Sequence, residues 1–190
     1  MQMAKIVSTI SPEYPLLGLL SQNPTHGYEL HQRLTTDLGQ VWRISQSQAY
    51  NILNRLEANG YVTGELLEQE KLPARRRFSL TEAGRQRFEA WLNAPSGSSA
   101  RAIRIEFITR LYFALARGRE SAYRLLEAQI ADTQSSLNRL RVQIKTIPDN
   151  QVFNRLSLDL RIRQLSSILE WLVECRTMVD FSKPKKPTCI

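Results

Sequence analysis

The chain has 190 residues, enough for one large domain or two small ones, and its 42% apolar content supports a true core. No apolar run reaches the ~18 residues of a membrane span, and a formal net charge of +8 points to a polyanionic partner. That charge is uneven. Residues 1–95 carry 10 Lys and Arg against 9 Asp and Glu, whereas residues 96–190 carry 16 against 9, with Lys183, Lys185 and Lys186 in the tail. Total charge therefore does not mark the binding half. Cys175 and Cys189 belong to no CxxC and have no neighbouring His, so they form neither a metal site nor a disulfide framework. They read as reduced thiols of a cytoplasmic protein. The stretch Met1–Val7 has no long apolar segment and is not expected to be a secretory signal.

In chain order, a first helix is predicted over about 12–22, led by Pro12 and rich in Leu16, Leu17, Leu19 and Leu20. It ends at Asn23-Pro24, because proline disfavours helix at the residue before it. A second helix runs from about Gly27 to Leu38, with Tyr28 and Leu30 expected in the core and Gly39 as the stop. Val41-Trp42-Arg43 reads as a very short strand. Ser45 then caps a third helix through the S-x-x-Q pattern of Ser45 and Gln48, and Asn59-Gly60 ends it. Tyr61–Leu67, the charged Glu68–Pro73 and Arg75–Leu80 form a hairpin. Thr81-Glu82 opens a fourth helix carrying Phe88, Trp91 and Leu92. Three helices, a two-stranded wing and another helix is the winged helix-turn-helix order.

Ala94-Pro95-Ser96-Gly97-Ser98-Ser99 suits neither helix nor strand and divides the chain. Beyond it the pattern is helical throughout. Ile103, Phe107, Leu111 and Leu115 recur every four residues. Tyr123, Leu126, Ile130, Thr133, Leu137, Leu140, Ile144 and Ile147 then alternate steps of three and four, a heptad seam that requires a partner helix. After Pro148-Asp149-Asn150 a last helix presents Phe153, Leu156, Leu160, Leu165, Ile168, Leu172, Cys175 and Val179. The expected architecture is mainly α. It comprises an N-terminal winged helix-turn-helix domain (1–94), an all-helical dimerisation domain of long antiparallel helices (95–182) and a basic tail (183–190). Tyr123, Leu126, Ile130, Leu137, Leu140, Ile144, Leu165 and Leu172 are expected at the dimer surface, because so much apolar stripe exceeds what one small helical domain hides.

On a helical projection of the third helix, Ala49, Ile52, Leu53 and Leu56 share one face, and Ser47, Gln48, Asn51, Asn54 and Arg55 lie opposite. Amides suit bidentate pairing with adenine, and Arg suits guanine or phosphate. A merely solvated face would more often carry Glu and Lys, and this one has no acid before Glu57. The hairpin concentrates Lys71, Arg75, Arg76 and Arg77, a set able to reach phosphates or a narrow minor groove. Glu65, Glu68 and Glu70 leave a balanced, solvated loop open as the other reading. Strand alternation also keeps the three arginines from all facing one way.

Three segments resemble the PadR-like transcriptional regulators. Thr25–Leu30 is similar to their THGYEL segment, and Ser47–Val62 to their Y-x-x-L-x-R-L-E-x-x-G signature. Arg77–Gly84 is similar to their wing exit, (Y/F)-x-L-T-E-x-G. The resemblance is specific over about 12–93. In the other half it extends only to size and helical pattern. It implies that Gln46, Ser47, Gln48, Tyr50, Asn51 and Arg55 lie at the major groove or its phosphates, with Lys71, Arg75, Arg76 and Arg77 flanking. It also implies a cytoplasmic homodimer on double-stranded DNA, a repressor on an inverted repeat, with a small-molecule effector of unknown identity.

No nucleophile–base pair, Gly-rich phosphate loop or paired acids appear, so neither an enzyme nor a cofactor or metal is expected. Two other readings stay open. A MarR-like regulator would carry dimerisation helices at both ends of the chain. A winged-helix module for protein–protein contact would show an acidic or apolar third-helix face.

Overall fold

The computed structural model describes residues 10–69 and 72–181. It divides into two compact units between Ala94 and Pro95. The tail expected over 183–190 lies outside the described residues.

In the first unit, α1 (Glu13–Gln22) is buried on every side from Tyr14 to Leu20. A helix apolar all round belongs at the centre of a core. Around it stand α2 (Gly27–Leu38), α3 (Gln46–Ala58) and α4 (Glu82–Asn93). Tyr14 stacks on Trp91 with ring centroids 4.6 Å apart, fixing α1 against α4. Ser45 closes both halves of its capping box with Gln48. Thr81 caps α4 by accepting the Gly84 amide at 3.0 Å and donates its hydroxyl to the Gly60 carbonyl at 2.7 Å. Gly84 is required for another reason. A Cβ there would stand 2.0 Å from the Tyr61 carbonyl oxygen, so only glycine lets the helix start come this close to the β-hairpin.

The sheet has three strands in the order β1–β3–β2, with β1 (Thr25–His26), β2 (Val62–Gln69) and β3 (Leu72–Leu80) all antiparallel. The expected two-stranded wing is the β2–β3 hairpin, and a short strand not expected from the sequence joins it, with Thr25 and His26 pairing with Phe78 and Arg77. Two residues carry no periodic signal. The hairpin strands also run further toward the tip than expected, with a register shift between Leu67 and Gln69 that takes up Pro73, which cannot donate to the ladder. Val41–Arg43 is not a strand. The Val41 and Trp42 amides instead bond to the Leu38 carbonyl, closing the end of α2.

In the second unit, α5 (Ala100–Ala102), a π-helical turn (Ile103–Phe107) and α6 (Ile108–Arg117) follow one another, and α7 (Arg119–Thr146) and α8 (Val152–Phe181) form a long hairpin. Leu126 packs in one cluster with Leu172 and Cys175, and Leu137 and Leu140 in another with Leu158 and Leu165. Early residues of α7 meet late residues of α8, so the pair is antiparallel. This corrects the assignment of the heptad seam to a dimer surface. Leu126, Leu137, Leu140, Leu165 and Leu172 are buried within the chain, and Tyr123, Ile130 and Ile144 are partly buried against the same clusters. α8 supplies the partner helix that the seam demands.

The series Ile103, Phe107, Leu111 and Leu115 starts in the π-turn and ends with Leu115 on the surface. The turn also brings Glu106 and Arg110, both fully buried, into a short ion pair, with Arg110 Nη1 donating to Ser96 Oγ at 3.0 Å. Burial, reinforced by the neighbouring Glu174 charge, pushes the Cys175 thiol up, which marks it as a core thiol and not a reactive one. Among the described residues no helix is long and apolar enough to cross a membrane.

Candidate nucleic-acid interface

The third helix is held from beneath by Ala49, Ile52, Leu53 and Leu56, all buried. Its turn from α2 is tied by His31, whose Nε2 lies 2.9 Å from the Ile44 carbonyl. Gln46, Ser47, Gln48, Asn51, Asn54 and Arg55 are left on the exposed side. The structure thus brings the predicted face together, but its members are not equally free. Gln48 Oε1 accepts the Ser45 amide at 2.8 Å, so its carbonyl is committed to the cap. Asn54 Oδ1 accepts from Arg76 at 3.3 Å. Arg55 donates twice to Glu13 Oε1, at 3.0 and 2.7 Å. Among the described residues, Gln46, Ser47 and Asn51 make no side-chain hydrogen bond.

Tyr50 is half-buried, and its ring lies over the start of α2. A Cβ at Gly27 would come within 2.6 Å of Tyr50 Cε1, so that glycine is what admits the ring. Tyr28 is the opposite case: expected in the core, it is 57% exposed. Leu30, Leu34 and Leu38 already fill the buried stripe at steps of four. Tyr28, two residues before Leu30, falls about 200° round the helix and so on the far side. That signal was available in the sequence.

The wing arginines part company as strand alternation requires. Arg77 is exposed and pairs across the ladder with Glu65. Arg76 turns back to α3, where its Nη2 lies 2.5 Å from Glu57 Oε2 and its guanidinium sits 5.3 Å above the Phe78 ring. Glu57 Oε1 accepts the Gly64 amide at 2.8 Å. Arg75 lies in β3 with its side chain, like all of Lys71, outside the described residues.

Two acids that order this surface were not singled out in the sequence, Glu57 and Glu13. Glu13 joins α1 to both α3 and α4, taking Arg55 on one oxygen and Arg87 on the other at 3.0 Å. Arg87 in turn lies 4.7 Å from the Tyr61 ring centre. Their partners are 42, 74 and 19 residues away, so no local spacing reveals them. Electrostatically the result is simple. Each of these carboxylates is matched by a guanidinium, and the exposed face of α3 presents mainly neutral donors and acceptors. Such a surface admits a polyanion without repelling it. Among the described residues no group of three or more His, Cys, Asp or Glu gathers to hold a metal.

Residues 16–90 match the Transcriptional regulator PadR-like family, and residues 103–180 match Virulence activator alpha C-term. The chain is 28% identical over 131 residues to the Negative transcriptional regulator PadR of Bacillus subtilis, covering 68% of this chain and 70% of that protein. It is 26% identical over 82 residues to the Probable transcriptional regulator Rv1176c of Mycobacterium tuberculosis, 43% of each chain. Among solved structures, Bacillus subtilis PadR in complex with operator DNA aligns at 24% identity with a TM-score of 0.43, covering 88% of this chain and 98% of that one. The family is one of transcriptional regulators, not of enzymes. The matched segment spans α1 to α4, so the first unit is a PadR-like transcriptional-regulator domain, and the chain is a homologue of the Bacillus subtilis protein.

Proposed function

We propose that this regulator is a cytoplasmic repressor that binds double-stranded DNA as a homodimer on an inverted repeat and is released by a small-molecule effector. In this reading residues 1–94 are the DNA-binding domain and residues 95–182 the dimerisation domain. The observation that carries it is the exposed, acid-free face of α3, where Gln46, Ser47 and Asn51 have no side-chain partner among the described residues while Glu57 clamps the wing beside them. An Asn amide presented on a rigid helix matches the N6 and N7 edge of adenine. Gln48, Tyr50, Arg55 and the wing residues Lys71, Arg75, Arg76 and Arg77 complete the surface, Arg55 and Arg76 chiefly by holding it in shape. The repressor sign is supported by the name of the Bacillus subtilis relative. The homodimer is supported by an apolar stripe on the first half of α8, where Phe153 is 86%, Leu156 59% and Leu160 56% exposed.

Fluorescence anisotropy across a salt series tests the proposal, using a duplex selected on the protein and a random one. Affinity should fall steeply with salt through released phosphate counterions. Asn51→Ala should narrow the gap between the two duplexes by the ~1–3 kcal/mol of one bidentate contact. Absence of salt-dependent binding to any duplex would refute DNA binding. An unchanged gap would refute the role of Asn51.

A further inference from the structure

The second unit contains a groove of about 450 Å³ between the segment before α5 and the middle of α7 and α8. That volume is in the range of small-molecule sites. Its floor is apolar, made by the buried Leu140 and Leu165, and its rim carries Arg139 and Gln143 from α7 and Arg161 and Gln164 from α8. Ser98, Ser99 and Ser136 add hydroxyls, and no carboxylate lines it. Asp132, one turn before Ser136, stands outside the lining and accepts the Ser98 hydroxyl at 2.6 Å.

The two arginines differ from their neighbours. Arg155, Arg163 and Arg176 each pair with an acid, whereas among the described residues Arg139 donates only to Ser136 Oγ, at 2.9 Å, and Arg161 has no ion-pair partner. Two guanidiniums lining one groove without a carboxylate leave an excess positive charge there, which a dianion would offset. A monocarboxylate balances only one of them. A phosphomonoester carries about −1.5 to −2 at neutral pH and offers three acceptor oxygens, matching both the charge and the donor fork of arginine.

We propose that this groove binds a small organic phosphate, with the phosphomonoester head on Arg139 and Arg161 and the body over Leu140 and Leu165 within reach of Gln143 and Gln164. The inference deepens the regulator reading by giving the class of its signal. It rests on that reading only for the consequence at DNA, since ligand binding to this unit is measured without DNA.

The test is isothermal titration calorimetry of the full chain at fixed ionic strength with phenyl phosphate and adenosine monophosphate. Phenol, adenosine, inorganic phosphate and benzoate serve as comparisons. Both esters should bind and their dephosphorylated counterparts should not. The exposed double variant R139Q/R161Q should keep its helicity and lose about tenfold or more in ester affinity, the effect of removing charge-assisted bidentate bonds. The proposal is overturned if neither ester binds, or if the double variant binds them as well as the wild type. Equal binding of inorganic phosphate would mean an adventitious ion only, and equal binding of benzoate would defeat the charge argument. In parallel, R139Q/R161Q should retain wild-type affinity for duplex DNA. Loss of DNA and ester binding together would make the groove part of a nucleic-acid surface and overturn the assignment.

Discussion

Glu57 holds Arg76 in an ion pair at 2.5 Å and accepts the Gly64 amide at 2.8 Å with its other oxygen, so one carboxylate on the last turn of α3 ties down both strands of the wing. The wing is thereby fixed to the helix that it flanks.

Glu57→Gln keeps an acceptor for Gly64 but removes the charge that holds Arg76. Both partners are partly solvated, so the loss should be only about 0.5–1 kcal/mol. The clearer signal should be faster amide exchange at Gly64, read by NMR, with α1 protection unchanged. Unaltered exchange at Gly64 would show that the wing is held by its ladder alone.

Gly84→Ala places a methyl group 2.0 Å from the Tyr61 carbonyl oxygen, a backbone atom that cannot swing aside. Overpacking of this kind costs about 1–3 kcal/mol. The melting temperature should fall by several degrees, as followed by circular dichroism. A wild-type melting curve would mean that the helix start is looser than the geometry indicates.

The buried Glu106–Arg110 pair should respond asymmetrically. Arg110→Met alone leaves a carboxylate in the core and should cost about 3–5 kcal/mol in urea denaturation, because an uncompensated buried charge is worse than no pair. Adding Glu106→Leu should recover most of that loss. A double variant as unstable as the single one would mean that the pair specifies the π-turn itself.

Two aspartate substitutions separate the heptad seam from the exposed stripe of α8. Leu137 is buried against α8, so Leu137→Asp should lower helicity. Phe153→Asp with Leu160→Asp changes exposed positions and should leave helicity intact while light scattering falls from dimer to monomer mass. A double variant that remains dimeric would move the interface elsewhere.

Much of the fold was legible because its cues are local. The Ser45–Gln48 box, the Thr81 cap, Pro24 and the Asn59-Gly60 stop each act within four residues, and the structure puts helix ends where they predict. The apolar spacing of α3 likewise separated buried from exposed positions without any tertiary information. Alternation in β3 foretold that Arg76 and Arg77 would diverge, though not which of them would turn inward.

What the sequence by itself determined was therefore the run of elements and the composition of each face. Hydrogen bonds at caps and the periods of helix and strand are set by neighbours along the chain. Only the tertiary structure decided how those faces were used. The Thr25–His26 strand exists because Phe78 and Arg77 lie alongside it. Arg55 and Arg76 became braces because Glu13 and Glu57 come to them from other turns of the fold. The heptad seam was answered by α8 of the same chain, since a short Pro148-Asp149-Asn150 link delivers that helix at high effective concentration. Periodicity states that a face must be covered. It does not name the cover, because that choice is a competition among surfaces that meet only after the chain has folded.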